Sequence, residues 1–163
     1  MRARLTFMVA VASALVLTTG VVLAADKTVR TNGDNRFVAN AMIQSTLRFT
    51  PGTIRVESGS EVTWQHDDRT TEPHTITIVE EADLPTSADE VFACEACGAA
   101  LDGHFGGGGP VLDVGALGLD APGDSLLFFD GESVTATVSA GPGTTLSYLC
   151  AIHPWMQGEI NVQ

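Results

Sequence analysis

The chain reads as an all-β sandwich. Short runs rich in Val, Ile and Thr alternate apolar and polar residues, and Gly-, Pro- and Asp-containing turns separate them. Composition is poor in charge and rich in Val, Thr and Gly, with no long amphipathic helical pattern.

Residues 1–25 read as a signal peptide rather than as part of the fold. Arg2 and Arg4 give a positive start, Leu5 to Leu23 is an apolar run, and Val22-Leu23-Ala24 offers small-residue cleavage before Ala25. The alternative is an N-terminal anchor, because the run approaches the ~20 residues that span a bilayer. No cysteine follows the run to support a lipoprotein anchor. Either way the rest of the chain is expected in an oxidising, extracytoplasmic compartment, periplasmic or secreted. About 138 residues then remain, enough for one domain with its own core.

Residues 26–41 are polar, and Asn32-Gly33-Asp34-Asn35 marks a turn, so this stretch is expected to be a flexible N-terminal segment. The domain proper is expected over 42–163. From Met42 to Phe49 an alternation places Ile43, Ser45, Leu47 and Phe49 on one strand face, and Thr50-Pro51-Gly52 ends it. Thr53 to Glu57 forms the next strand, and Ser58-Gly59-Ser60 turns into the strand from Val62 to His66. Residues 67–72 form a loop that delivers Pro73 and His74. His74 opens a strand to Val79 with Ile76 and Ile78 on one face.

Residues 81–123 interrupt this rhythm. They contain Cys94-Glu-Ala-Cys97, His104 and the tract Gly106 to Gly109. A Gly-rich tract beside acidic residues buries little apolar surface, so the insert is expected to be a decorated loop. Strands resume at Leu126 to Phe129, turn at Asp130-Gly131, and continue with Val134, Ala136 and Val138 on one face. Gly141-Pro142-Gly143 leads into Thr144 to Cys150, and Gly158 to Val162 alternates as the last strand.

Between those last two strands lie Cys150, His153 and Met156, a thiol, an imidazole and a thioether at i, i+3 and i+6. Pro154 cannot donate to a β-ladder, so the chain turns there and can curl three side chains around one point. Soft sulfur beside imidazole selects a soft or borderline metal. With a second histidine the set becomes that of a blue-copper electron-transfer site, trigonal with a weak axial methionine. His74, at the start of its strand, is the best candidate for that histidine.

At this point the chain resembles the cupredoxins, closest to the plastocyanin and amicyanin group. The resemblance rests on Phe49-Thr-Pro51, Val56-x-x-Gly59-x-x-Val62-Thr-Trp64, Pro73-His74 and Tyr148-x-Cys150-x-x-His153-Pro-x-Met156-x-Gly158. It covers roughly 42–80 and 124–163, and the short Cys-x2-His-x2-Met loop is more like amicyanin than plastocyanin. The resemblance implies a cupredoxin-like Greek-key β-sandwich with the insert placed before the C-terminal strands. It also implies one type 1 copper ion, held by His74, Cys150, His153 and Met156, and single-electron transfer between redox protein partners. Where the family often has Asn after the first histidine, this chain has Thr75. That departure removes the family's usual bond between the two ligand loops, for which a Thr hydroxyl is at most a partial substitute.

Three other readings follow from the remaining residues. His66, followed by Asp67 and Asp68, is expected on a strand surface. Cys94 and Cys97 are expected to pair as a disulfide; with His104 they offer an alternative second metal site, and so a copper-handling protein. Gly98 follows Cys97 where covalent haem attachment needs His. Multicopper enzymes need more than the four histidines present, so an enzyme is not expected.

Charge is uneven. Loss of Arg2 and Arg4 takes the net charge from −12 to about −14. Every Lys and Arg lies at or before Arg69. Nucleic acid and anionic membrane are therefore poor partners, and membrane association is expected only through an uncleaved N-terminal anchor. The acidic surface is either simple solvation or a docking face for a basic redox partner. Docking itself is expected around His153, Pro154 and Trp155, with the ring edge of His153 at the surface.

Overall fold

Alternating side chains give each strand an inner and an outer face, and two sheets close over the inner set. The computed structural model describes residues 27–163, so the targeting reading of residues 1–25 lies outside the described residues. In chain order the strands are β1 (Lys27–Asn32), β2 (Asn35–Val38), β3 (Met42–Ser45), β4 (Arg48–Thr50), β5 (Thr53–Val56), β6 (Glu61–Gln65) and β7 (His74–Val79). Two helices follow, α1 (Ala88–Phe92) and α2 (Glu95–Phe105). The strands then resume as β8 (Asp113–Val114), β9 (Ser125–Phe128), β10 (Ser133–Thr137), β11 (Thr145–Leu149) and β12 (Gln157–Val162).

One sheet has the order β10-β6-β1-β4 and the other β5-β12-β11-β7-β9-β8. Both are mixed: β1 runs parallel to β6, β12 runs parallel to β5, and the remaining neighbours are antiparallel. One core lies between them. It draws Val29, Phe49, Val62 and Trp64 from the first sheet and Ile76, Ile78, Phe128, Tyr148 and Ile160 from the second. Each such side chain contributes about 1.5–3 kcal/mol by leaving water. Tyr148 meets the ring of Trp64 edge-on at 6.0 Å and that of Phe49 at 5.1 Å. Gly158 lies opposite Tyr148 in the β11–β12 ladder, where a Cβ would run into the Tyr148 ring and the Gly52 carbonyl.

Three expectations need correction. The segment 26–41 is not a flexible entry over most of its length: β1 is an interior strand, with Val29 and Thr31 buried against the core. Its alternation is short and mostly polar, and the pairing that orders it, with β6 and β4, is non-local.

The single strand expected over 42–49 is divided. Thr46 exchanges bonds with Asp34 through both its backbone N–H and its hydroxyl, which closes a separate β2–β3 hairpin. Leu47 and Phe49 turn inward as expected, whereas Ile43 is 79% exposed on the hairpin.

The insert is helical rather than an open loop. Ser87 caps α1 by accepting the Glu90 N–H, and Glu90 in turn accepts from Thr86. Cys94 sits at the N-cap of α2 and is bonded to Cys97, so the expected disulfide is present. Cys97 and Ala100 pack on Val79, Leu149 and Ala151, forming a second apolar cluster outside the main core. That cover buries β7 on both faces, although its sequence alternates as if one face met water. The segment after β8 is held by Asp124, whose carboxylate accepts backbone N–H groups from Ala116, Asp120 and Ala121.

Candidate metal centre

His74 begins β7 beside β9, with Thr75 registered on β9 and Thr77 registered between β9 and β11. Cys150 follows β11 and Met156 precedes β12, so a seven-residue loop must reverse the chain. It does so by two successive turns: the His153 N–H donates to the Cys150 carbonyl, and the Met156 N–H donates to the His153 carbonyl. The Cys150 N–H closes the loop on the Met156 carbonyl at 2.9 Å.

The result is a cluster of buried donors. Cys150 Sγ lies 3.7 Å from His74 Nδ1 and 3.6 Å from His153 Nδ1, and the two rings are 5.0 Å apart. His74, Cys150 and Met156 have no accessible surface, and His153 has 5%. A metal ion about 2.0–2.1 Å from each nitrogen and about 2.3 Å from the sulfur would see each sulfur–nitrogen pair at roughly 110–120°, close to trigonal. The donors therefore fit a single small ion of the kind a thiolate and two imidazoles select. Met156 is buried in the same loop, with both its backbone groups bonded to the cysteine and the histidine.

Carboxylates set the tautomers. His74 Nε2 lies 2.8 Å from Asp68 Oδ2, and His153 Nε2 lies 3.1 Å from Glu72 Oε2. An ionised carboxylate only accepts, so each Nε2 carries the proton and each Nδ1 turns its lone pair toward the sulfur. Asp68 Oδ1 is occupied by the N–H and hydroxyl of Thr70. Glu72 also accepts from the Asn35 side chain at 2.6 Å.

The protonation states agree with this geometry. Burial pulls His74 down to about 4, with the Asp68 charge opposing it; burial likewise lowers His153 against the pull of Glu72. Burial pushes the Cys150 thiol up, while N–H groups of Thr75, His153 and Ile152 partly offset it. Thr75 N–H reaches the sulfur at 3.4 Å. A cation bound here would meet neutral imidazoles and would displace the thiol proton.

The structure thus brings together His74, Cys150 and His153, and Met156 is buried in the same loop. Thr75 takes the part of the family's Asn, its hydroxyl accepting the Ala151 N–H at 2.7 Å. Two other expectations fail. His66 is buried, not on a surface: its Nε2 is 3.1 Å from the Glu72 carbonyl oxygen, and its ring lies 5.1 Å from that of His74. His153 does not present its ring edge to solvent, because Glu72 covers it; Pro154 is buried as well, and Trp155, 43% exposed, is the accessible part of the loop.

The insert does not assemble the alternative second metal site. Its two cysteines are bonded to each other, and His104 is fully buried with Nδ1 on the Val111 carbonyl and Nε2 on Ser125. A second group of donors, His66, Asp68 and His74, overlaps the first through His74. The sequence missed Asp68 and Glu72 as supports. Their spacing before Pro73-His74 was visible, but their aim depends on how the 67–72 loop folds back.

The model of the plastocyanin/azurin family of copper-binding proteins matches residues 37–163. Comparison with curated proteins gives no match. Among solved structures, the chain is similar to a purple cupredoxin from Nitrosopumilus maritimus, at 17% identity and TM-score 0.47, covering 85% of this chain and 100% of that one. It is similar to a reduced auracyanin from Roseiflexus castenholzii at 18% identity and TM-score 0.47, covering 86% and 98%. Auracyanin A from Chloroflexus aurantiacus, a "blue" copper protein, aligns at 17% identity and TM-score 0.47 over 85% of this chain and 100% of that one.

Proposed function

The chain belongs to the plastocyanin/azurin family of copper-binding proteins, and on that premise we propose that it carries single electrons between redox partners. One type 1 copper ion is held by His74, Cys150, His153 and Met156. The observation that carries this reading is the buried convergence of Cys150 Sγ, His74 Nδ1 and His153 Nδ1 within 4.8 Å of one another. Bound copper supplies the one-electron Cu(I)/Cu(II) couple. The chain supplies a ligand set intermediate between the preferences of the two oxidation states, and a rigid β-frame that resists rearrangement when the charge changes.

A carrier rather than an enzyme is favoured by how the remaining imidazoles are used. His66 and His104 are each committed to hydrogen bonds elsewhere, which among the described residues leaves no separate histidine cluster for a second copper. An extracytoplasmic setting is supported by the Cys94–Cys97 disulfide, which persists in oxidising compartments.

Electrons enter and leave near Trp155. Its ring stands edge-on to His153 at 5.4 Å, and it walls a shallow apolar groove with Val91 and Phe92 of the insert. A small apolar contact of this kind suits transient redox partners, which need fast release. The test is voltammetry of the copper-loaded chain on an inert electrode. One reversible one-electron wave with one copper per chain supports the proposal; an irreversible wave, or two or more exchangeable coppers, rejects it.

A further inference from the structure

Behind the ligand loop runs a buried line of hydroxyl hydrogen bonds that ends in the insert. Thr75 and Thr77 lie two apart on β7, on the face that α2 covers, and Ser125 of β9 stands opposite Thr77 in the ladder. Ala151 N–H donates to Thr75 Oγ1 at 2.7 Å. Thr75 Oγ1 is 2.9 Å from Thr77 Oγ1, which is 2.8 Å from Ser125 Oγ, which is 2.8 Å from His104 Nε2. His104 Nδ1 reaches the Val111 carbonyl oxygen. Every residue that contributes a side chain is 2% exposed or less.

The two ends fix the direction of every link. The Val111 carbonyl only accepts, so Nδ1 of His104 donates, and a ring carrying that one proton leaves Nε2 as an acceptor. Ser125 must then donate to His104. Each hydroxyl has one proton, so Thr77 donates to Ser125 and Thr75 donates to Thr77. Thr75 Oγ1 is thereby left with lone pairs facing Ala151, whose N–H can only donate. No link is unsatisfied, and no hydroxyl is free to rotate without breaking one. In a dry site, leaving a donor or acceptor unpaired costs about 1–3 kcal/mol.

We propose that His104 and Ser125 are positioning residues for the metal centre, acting through Thr77 and Thr75 on the residue after Cys150. Thr75 is the junction. Its hydroxyl holds Ala151, its N–H bonds the Cys150 sulfur at 3.4 Å, and its neighbour is His74. The line therefore ties the strand that begins with one imidazole to the loop that begins with the thiol. The insert is what terminates it, because His104 is on α2 and the last acceptor, the Val111 carbonyl, lies in the same insert. The disulfide at the start of that helix and its packing on Leu149 and Ala151 hold it in place.

The experiment uses Ser125→Ala, His104→Leu and His104→Gln in the full chain, the last keeping an amide oxygen able to accept from Ser125. The first readout is hydrogen exchange in the metal-free protein, comparing the Ala151 amide with the Trp64 amide of the opposite sheet. It needs no copper, so it stands apart from the proposed function, on which only the second readout rests. Ser125→Ala and His104→Leu are expected to speed Ala151 exchange about tenfold or more relative to Trp64, and His104→Gln to stay within about threefold of the parent. The second readout is the energy of the thiolate-to-copper band, expected to shift in the first two variants and to return in His104→Gln. If Ser125→Ala leaves both the Ala151-to-Trp64 ratio and the band unchanged, or if both amides speed up equally, the proposal is overturned and His104 serves only to fill the insert.

Discussion

Nε2 of His74 and Oδ2 of Asp68 are 2.8 Å apart with both side chains fully buried, so the carboxylate decides which nitrogen of the ring faces Cys150. Removing it frees the tautomer and strands a buried N–H. Asp68→Ala is expected to weaken metal binding by about 10–100-fold, the usual loss when a histidine ligand's partner is removed. Competition against a chelator of known affinity measures it; unchanged affinity would show that Asp68 serves only the Thr70 turn.

The buried histidines make the metal-free protein acid-sensitive. His74 titrates near 4 when folded and near 6.5 when unfolded, so between those values the unfolded chain binds more protons. Stability is therefore full above about 6.5 and falls as pH drops toward about 4. The loss is on the order of 2–3 kcal/mol, with His153 shifting the same way. Asp68 acts only lower: its folded value lies below 3.8, so its contribution is lost as pH falls beneath that. Urea midpoints at pH 7 and pH 5 test the prediction, and equal midpoints would contradict it.

Gly158→Ala should destabilise the domain by about 1–3 kcal/mol, the range for forcing a group into packed space. The added Cβ meets the fully buried Tyr148 ring and the Gly52 carbonyl, which already accepts the Glu159 N–H. Thermal melting measures the loss; an unchanged melting temperature would mean that β12 slides away from β11 at no cost.

Much of this site was legible in the sequence because its strongest elements are local. Cys150, His153 and Met156 lie within seven residues, and Pro154 marks the turn that gathers them. Ile76/Ile78 and Val134/Ala136/Val138 each keep to one strand face in the fold. What escaped the reading depends on distant partners. β1 is ordered by pairing with β6 and β4, and His66 is met by Glu72, where the 67–72 loop folds back, and by Asp130 from another loop. The insert was misread because its glycines outweighed a helix-start signal that was present, Thr86-Ser87-x-x-Glu90. The outer face of β7 then looked solvent-facing, when α2 covers it and its threonines serve the ligand loop.

Trp155 is the accessible part of the ligand loop, and a large exposed ring contributes more to a partner than to the fold. Trp155→Ala is expected to change stability by less than about 1 kcal/mol while slowing electron exchange with a protein partner. Stopped-flow exchange and melting, taken together, decide it. A large fall in melting temperature with normal exchange would move the docking face elsewhere.

The most direct test of the central claim is a Cu(II) titration of the metal-free chain and of Cys150→Ser, followed by visible absorption. The intact chain should develop an intense thiolate-to-copper charge-transfer band that saturates at about one equivalent, and Cys150→Ser should show none. Copper uptake without that band, or a band that survives in Cys150→Ser, would contradict a copper centre built on His74, Cys150, His153 and Met156.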